Sequence, residues 1–259
     1  MQCIGRVRVA LVRAIFVIAF VVVASATGCG DGTADASIDV SAATSLKGAL
    51  VASAPRFRAG EVRLAFGGSD LLAAQIRAGA RPDVFVAANS ELPQALARDG
   101  LVERPVAFVR NELVLAVARD DDRLNAVTDL ALPGLRIALG ASAVPVGAYA
   151  DIAISRMDRR LRVRVRAAIR SREPDTAGVV GKLSQGAVDA ALIYRTDVAA
   201  SSGRLRAVTL PARIQPRIVY SAAVVRGSDR RVAARAYVRD LVSGAASAEL
   251  RRSGFGAAP

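Results

Sequence analysis

Hydrophobic and polar positions over residues 37–259 alternate between short apolar runs and helix-like stretches. The apolar runs predict strands at 38–44, 61–67, 83–89, 113–119, 136–142, 191–194, 206–210 and 218–225. The stretches between them predict helices at 46–58, 69–78, 90–98, 147–158, 176–186, 230–243 and 246–253. Regular alternation of strands and helices favours an α/β fold with largely parallel sheets.

The first 28 residues have a different pattern. Arg6, Arg8 and Arg13 precede the apolar run AIFVIAFVVVA at 14–24, and the small residues SATGCG follow it. A basic, then apolar, then small-residue order is typical of a secretory signal peptide. The apolar run is shorter than the roughly 20 residues of a membrane span, although an uncleaved anchor remains the alternative.

Cys29 follows Ala-Thr-Gly and precedes the polar stretch GDGTADAS. This arrangement resembles the lipobox of bacterial lipoproteins, in which the cysteine is lipidated and becomes the new N-terminus, although Ala26 stands where leucine is usual. The resemblance implies a lipoprotein signal over 1–28 and a flexible tether over 29–36. The protein would then be anchored by lipid to the outer face of the cell membrane, or be periplasmic.

Composition narrows the choice of partners. The chain has 36 Lys and Arg against 23 Asp and Glu, a net charge of +13, but only 4% aromatic residues and no Trp. The stacking platforms of nucleic-acid binders are therefore scarce, and we expect no nucleic-acid partner. The arginine-rich stretch RMDRRLRVRVRAAIRSR at 156–172 is interpreted as a solvated face, with a polyanion-binding patch as the alternative.

Two serines follow predicted strands and open predicted helices. Ser45 and Ser69 stand where a helix N-cap is expected, and Gly67 and Gly68 before Ser69 let the backbone approach a ligand closely. A single serine in such a place is most simply a helix cap. In open α/β sheets, however, ligands bind beyond the carboxyl ends of the strands, where both turns lie.

Two further turns have the same design without a serine. Pro145 precedes Val146 at the start of one predicted helix, and Thr176 begins another. The first N–H groups of a helix have no partner within the helix and carry a partial positive charge. Several such turns at one cleft would form a site for a small anion without lysine or arginine.

Candidate catalytic groups are scarce. The chain has no histidine, and Cys3 and Cys29 are its only cysteines. Asp70 and Asp175 stand next to Ser69 and Thr176, where a carboxylate is expected as a first-turn helix charge. We therefore predict that the protein is not an enzyme. Clusters suited to a bare cation are also lacking in the sequence, whereas sulfate and phosphate remain candidate ligands.

Six stretches carry a resemblance to a known family. They are, in order, SAATSLKGAL, FGGSDLLAAQIRAGARPDVFVAAN, LVLAVARD, ASAVPVGAYA, GVVGKLSQGAVDAALIYRTDVAAS and LRRSGFGAAP. In these stretches the chain resembles the periplasmic molybdate-binding proteins, the substrate-binding components of bacterial molybdate ABC importers. The resemblance implies a two-lobed periplasmic-binding-protein fold of type II. Each lobe would be a mostly parallel sheet flanked by helices, with the ligand in the cleft between the lobes.

The resemblance also implies lobe bounds, a function and partners. One lobe would comprise 37–112 plus 219–259, and the other 113–218. A monomer would bind molybdate, and tungstate as its mimic, outside the cytoplasm and deliver it to the permease of an ABC importer. Sulfate or phosphate is the alternative ligand, because both are also tetrahedral oxyanions.

Five ligand-binding residues follow from the resemblance. Ser45 and Ser69 would each bind by hydroxyl and N–H, Val146 and Thr176 by backbone N–H, and Tyr194 by its phenol O–H. The strand-to-helix turns indicate the first four independently, whereas Tyr194 depends on the resemblance alone. Molybdenum would be held as its oxyanion rather than at a bare cation site, and no cofactor is implied.

Overall fold

The computed structural model describes residues 37–258. The predicted signal peptide, Cys29 and the tether lie outside the described residues. The strands in this range are β1 Ile38–Ala43, β2 Val62–Gly67, β3 Val84–Ala87, β4 Val106–Asn111, β5 Leu113–Ala118, β6 Ile137–Gly140, β7 Ile169–Glu173, β8 Ala190–Tyr194, β9 Leu205–Thr209, β10 Ile218–Val224 and β11 Gly256–Ala257. The α-helices are α1 Lys47–Ser53, α2 Ser69–Arg77, α3 Glu91–Arg98, α4 Pro145–Ser155, α5 Arg159–Ala168, α6 Thr176–Ser184, α7 Arg195–Ala199, α8 Arg231–Ser243 and α9 Ala245–Arg252.

The strands form two sheets. The first has six strands in the order β11-β4-β10-β3-β1-β2, and the second has five in the order β7-β6-β8-β5-β9. In each sheet the central strands are continuous apolar runs, because helices cover both faces. All four residues of β3 and all five of β8 are buried, whereas edge strand β2 alternates between half-buried and exposed positions.

Both sheets are mixed, and the expectation of mostly parallel sheets is wrong. β1 pairs in parallel with β2 and β3, and β6 with β7 and β8. The other five pairings among the described strands are antiparallel, and each involves β10, β4 or β5. These three strands flank the passages of the chain between the sheets, so they run against the strands that belong to βαβ units.

The chain passes between the two sheets twice. It leaves the first sheet at Asn111 and enters the second at Leu113, with one residue between. It leaves the second sheet at Thr209 and re-enters the first at Ile218. The lobe bounds given above remain a prediction.

The elements that the sequence pattern missed are short or rich in arginine. β4 is separated from β5 by one residue, and β7, with the sequence IRSRE, has a charged residue at every second position. α5 lies wholly inside the arginine-rich stretch and buries only Leu161, Val165 and Ala168. The predicted helix 46–58 is also shorter than expected, since Pro55 falls in a separate 3-10 turn after α1.

No helix within residues 37–258 combines the length and the apolar character needed to cross a membrane.

Candidate functional site

A small cavity lies where carboxyl ends of strands from both sheets meet. It is lined by residues that follow β1 and β2 of the first sheet and β6, β7 and β8 of the second. Its free volume is about 10 Å³, close to the space that one water molecule needs, so the lining groups lie close together. All five predicted ligand-binding residues line it: Ser45, Ser69, Val146, Thr176 and Tyr194.

Ser45 lies in the 3-10 turn Thr44–Leu46 and does not cap a helix, so its assignment as an N-cap is wrong. Its Oγ is instead 2.9 Å from the phenol oxygen of Tyr220. Tyr220 in turn accepts a 3.4 Å hydrogen bond from the side-chain amide of Asn111. Either oxygen can donate in the Ser45–Tyr220 contact, and when Tyr220 donates, the Ser45 proton is left for a ligand.

Ser69 is the first residue of α2 rather than its N-cap, which is Gly68. The side chain is 2% exposed, and its Oγ accepts a 3.1 Å hydrogen bond from the backbone N–H of Ala88. A hydroxyl that already accepts still has its own proton to donate. Because the Ser69 N–H belongs to the first turn of α2, the residue presents two donors at the cavity.

Val146 and Thr176 offer backbone donors at two further helix starts. Val146 is the second residue of α4, whose first residue, Pro145, has no N–H. Thr176 opens α6, and its N-cap is Asp175, which accepts a 2.9 Å bond from the Gly178 N–H. The intrahelical pattern gives neither the Val146 nor the Thr176 N–H a partner, so both remain available to an anion.

Tyr194 ends β8 and is completely buried. Its phenol oxygen has no hydrogen-bond partner among the described residues. Burial raises the pKa of Tyr194 well above its ordinary value, so the phenol keeps its proton and acts as a donor. A buried hydroxyl without a partner costs free energy, so this phenol is a donor available to an acceptor in the cavity.

The cavity is therefore rich in donors and free of cationic side chains. No lysine or arginine is among the described residues that line it, and Asp175 is the carboxylate that does. The Asp175 oxygens accept from the Gly178 N–H and from the Thr44 hydroxyl, so they are already satisfied. Neutral donors and helix N-termini alone would compensate a bound negative charge.

Two contacts join the elements of the two sheets across the cavity. The Thr44 hydroxyl, after β1, donates to Asp175 Oδ2, after β7, at 3.1 Å. Gly68, after β2, lies so close to Pro174 that a Cβ built on it would stand 2.6 Å from the Pro174 carbonyl oxygen. The site is thus in a closed arrangement. Sequence reasoning did not find the roles of Thr44, Asn111 or Tyr220, because all three act through partners distant in the chain.

Beneath the cavity, Asp197 accepts a 3.2 Å hydrogen bond from the Tyr194 N–H. Burial raises the pKa of its carboxyl to about 7, and the charge of Asp175 adds to this effect. Between about pH 4 and pH 7 the folded protein thus holds a proton that the unfolded chain has lost. The contribution of the Asp197 carboxyl to the free energy of unfolding is therefore largest at low pH and falls as the pH rises toward 7.

The Asp197→Asn variant tests this pH dependence. Asparagine keeps an oxygen that can accept from the Tyr194 N–H but cannot ionise, so we expect the variant to melt a few degrees above the wild type at pH 8. At pH 5, where Asp197 is protonated, the difference should shrink. Thermal unfolding followed by circular dichroism at both pH values measures it. Identical pH profiles for the two proteins would show that Asp197 does not titrate in this range.

The sequence model of the bacterial extracellular solute-binding protein family matches residues 38–256, nearly the whole described range. The chain belongs to this family of solute-binding proteins. This membership confirms that it is a transport-related binding protein and not an enzyme.

Relatives of this solute-binding protein confirm the resemblance drawn from the six stretches. The molybdate-binding protein ModA of Mycobacterium tuberculosis is 30% identical over 225 residues, which cover 85% of this chain and 84% of that protein. The periplasmic molybdate-binding protein of Azotobacter vinelandii superposes with a TM-score of 0.76 at 19% identity, covering 84% of this chain and 98% of that one.

A sulfate-binding protein of Mycobacterium tuberculosis, SubI, also superposes, with a TM-score of 0.74 at 17% identity, covering 85% of this chain and 86% of that one. At such identities the two structural neighbours show the fold alone. They confirm the two-lobed type II fold of this solute-binding protein.

Proposed function

We propose that this solute-binding protein binds molybdate in the cavity between its two sheets and delivers it to the permease of an ABC importer. The residues that hold the anion are Ser45, Ser69, Val146, Thr176 and Tyr194. Tungstate, nearly isosteric with molybdate, would bind at the same site. The ModA relative supports molybdate as the ligand, and its 30% identity extends over most of both chains.

The observation that carries the proposal is the set of neutral donors around one small cavity. Hydroxyls and first-turn N–H groups reach it from both sheets, and a buried phenol there has no hydrogen-bond partner in the described part of the chain. A tetrahedral oxyanion has acceptor oxygens in four directions, so it would satisfy donors that converge from opposite sides. A cation would instead meet the positive ends of several helices.

Size decides between oxyanions of the same charge. Sulfate and molybdate are both tetrahedral dianions, so the donor set alone does not separate them. Discrimination must come from how far apart the two sheets hold their donors when the site is closed. The likeness to a sulfate-binding protein makes sulfate the second candidate.

Isothermal titration of the protein with molybdate, tungstate, sulfate and phosphate tests the proposal. We expect tight binding of molybdate and tungstate and weak or no binding of the other two. A preference for sulfate or phosphate would retain the oxyanion site and overturn its assignment to molybdate. The absence of binding to all four anions would overturn the function itself.

Replacing Tyr194 by phenylalanine separates binding from stability. Loss of one donor to a buried dianion should weaken molybdate binding by about 1.5–3 kcal/mol, roughly 10- to 150-fold. The unfolding temperature of the ligand-free protein should not fall, because the removed hydroxyl has no partner in the described structure. Titration and thermal unfolding of the same preparation measure both effects.

Tyr237→Phe is the matched control. Tyr237, in α8, also has a buried hydroxyl without a partner in the part of the chain that the structure describes, but it does not line the cavity. Its replacement should leave molybdate affinity unchanged. Ser69→Ala should differ from both, lowering affinity and also stability, since it leaves the buried Ala88 N–H without its acceptor. Equal affinities for the Tyr194 and Tyr237 variants would remove Tyr194 from the site.

Attachment to the membrane through a lipid on Cys29 is part of the same proposal. The order of basic, apolar and small residues before Cys29 supports it. The intact mass of the mature protein, extracted from the membrane fraction of its native host, tests it. The expected species begins at Cys29 and carries acyl chains, and a species without them would overturn the anchor.

A further inference from the structure

The arginine-rich stretch 156–172 takes no part in the proposed anion site. It contains eight arginines and a single acidic residue, Asp158. Its central part is α5, which packs on α4 and on the 3-10 turn Val127–Ala131 through its buried apolar residues. The remainder of α5 faces outward.

The outward arginines of this stretch lack acidic partners. Seven of the eight have no carboxylate within 4.0 Å among the described residues: Arg156, Arg159, Arg160, Arg162, Arg164, Arg166 and Arg170. Arg172, at the end of the stretch, is the arginine in it that has an ion pair among the described residues, with Asp151 at 2.8 Å. Within residues 37–258 the face is thus a concentrated positive charge with no ion pair on α5 to neutralise it.

A shallow depression lies beside this face. It is lined by Arg160 and Arg164, one helical turn apart, and by Thr128 from the neighbouring 3-10 turn. Asp158 also lines it, and one of its carboxylate oxygens accepts a 2.9 Å hydrogen bond from the Leu161 N–H as the N-cap of α5. Arg164 donates to the backbone oxygen of Ala131 at 3.2 Å, which uses one of its five N–H donors. Two guanidinium groups and a hydroxyl around one depression match the oxygens of a phosphate group.

Val163 distinguishes the face from a purely polar surface. It is 60% exposed and lies among the arginines of α5. A basic helix face that also presents apolar surface fits the boundary between headgroups and acyl chains of a bilayer. An acidic protein surface would satisfy the charges but would give Val163 no apolar environment.

The position of α5 keeps this face away from the ligand. α4 starts near the carboxyl end of β6 and packs along that strand, and β7 runs parallel to β6. The link between α4 and β7, which contains α5, therefore lies at the amino ends of these strands. The cavity is at their carboxyl ends, so both surfaces can be occupied together.

We propose that the outward face of α5 and the adjoining depression bind the phosphate headgroups of an anionic phospholipid bilayer. The guanidinium groups of Arg160 and Arg164 hold headgroup phosphates, and the other arginines of the face add attraction to the negative surface. Val163 reaches the apolar boundary. This contact orients the second sheet relative to the membrane independently of the ligand that the cavity holds.

Vesicle co-sedimentation of the full chain tests the proposal. The probes are vesicles of phosphatidylglycerol and phosphatidylcholine in equal parts, and vesicles of phosphatidylcholine alone. We expect the wild type to prefer the anionic vesicles. The triple variant Arg159→Gln, Arg160→Gln, Arg164→Gln should lower partitioning onto them by about 100-fold. High salt should abolish the preference.

A control variant carries the same loss of charge elsewhere: Arg98→Gln, Arg104→Gln, Arg213→Gln. These arginines are exposed and have no ion pair among the described residues. Because all three proteins share one N-terminus, any contribution from residues 1–36 cancels. We expect the control to lose less than about tenfold. Equal losses for both variants would overturn the proposal, since net charge alone would then explain the attraction.

Two soluble probes separate the bilayer from other sources of negative charge. Inorganic phosphate and poly-glutamate are titrated into the wild type and the triple variant. Stronger binding of poly-glutamate than of anionic vesicles would overturn the proposal in favour of an acidic protein partner. Tight binding of free phosphate at the depression, without vesicle binding, would also overturn it. If the triple variant binds molybdate as tightly as the wild type does, its change in vesicle binding does not come from the cavity.

Discussion

Replacing Gly68 by alanine is expected to weaken molybdate binding by roughly 10- to 100-fold while leaving the unfolding temperature of the ligand-free protein nearly unchanged. The added Cβ would stand 2.6 Å from the carbonyl oxygen of Pro174. That oxygen belongs to the backbone after β7, so it cannot turn aside as a side chain can. The closed arrangement, in which donors of both sheets reach the anion together, would be strained.

The open protein should tolerate the same change. Gly68 has φ −60° and ψ 134°, which alanine adopts freely. With the sheets apart, Pro174 no longer opposes residue 68, so the variant should fold normally and fail only at closure. Small-angle scattering with and without molybdate should show that the ligand-induced decrease in radius of gyration is reduced.

Gly67→Ala is the matched control for Gly68→Ala. A Cβ on Gly67 would lie 3.4 Å from Leu72 Cδ2, within ordinary contact of a flexible side chain. We expect this neighbouring substitution to keep both affinity and closure. If Gly68→Ala binds molybdate as tightly as Gly67→Ala does, residue 68 does not approach Pro174 this closely in the molybdate-bound protein.

Replacing Gly147 by alanine should damage the fold as well as the site. Gly147 is the third residue of α4, and its Cβ would overlap the backbone carbonyl oxygens of Gly140 and Ala141. Both groups are backbone, so the start of α4 must move and take the Val146 N–H away from the cavity. We expect a loss of about 3 kcal/mol or more in the free energy of unfolding, together with weaker molybdate binding.

Gly181→Ala controls for the general effect of alanine in a helix. Gly181 lies in α6, and no atom of residues 37–258 lies within 4 Å of a Cβ built on it, so alanine there should raise stability by up to about 1 kcal/mol. Denaturant unfolding and titration of both variants make the comparison. If Gly147→Ala unfolds at the same denaturant concentration as the wild type, α4 does not need glycine at its start.

Much of the fold could be read from local pattern. The continuous apolar runs of β3, β5 and β8 predicted buried strands, because strands covered on both faces need apolar residues throughout. α5 and β7 could not be read in this way, since arginine occupies most of their exposed positions and hides the few apolar ones. The antiparallel pairings were missed because strand direction depends on the path of the chain between the sheets.

The residues of the candidate site were predictable in identity but not in role. Ser45 and Ser69 were noticed as helix caps, yet their hydroxyls contact Tyr220 and the Ala88 N–H. These partners are distant in the chain, so no local spacing reveals them. Tyr194 has no pattern of its own around it, and only the family resemblance pointed to it before the structure placed it at the cavity.

The sequence by itself determined the α/β class, the solute-binding family and the turns that supply donors, because these depend on local hydrophobic pattern and on short motifs. Tertiary structure alone decided which turns meet, which hydroxyls contact each other, and that Gly68 faces Pro174 from the other sheet. These properties arise from contacts between residues far apart in the chain, and such contacts exist only once both sheets have formed and closed on each other.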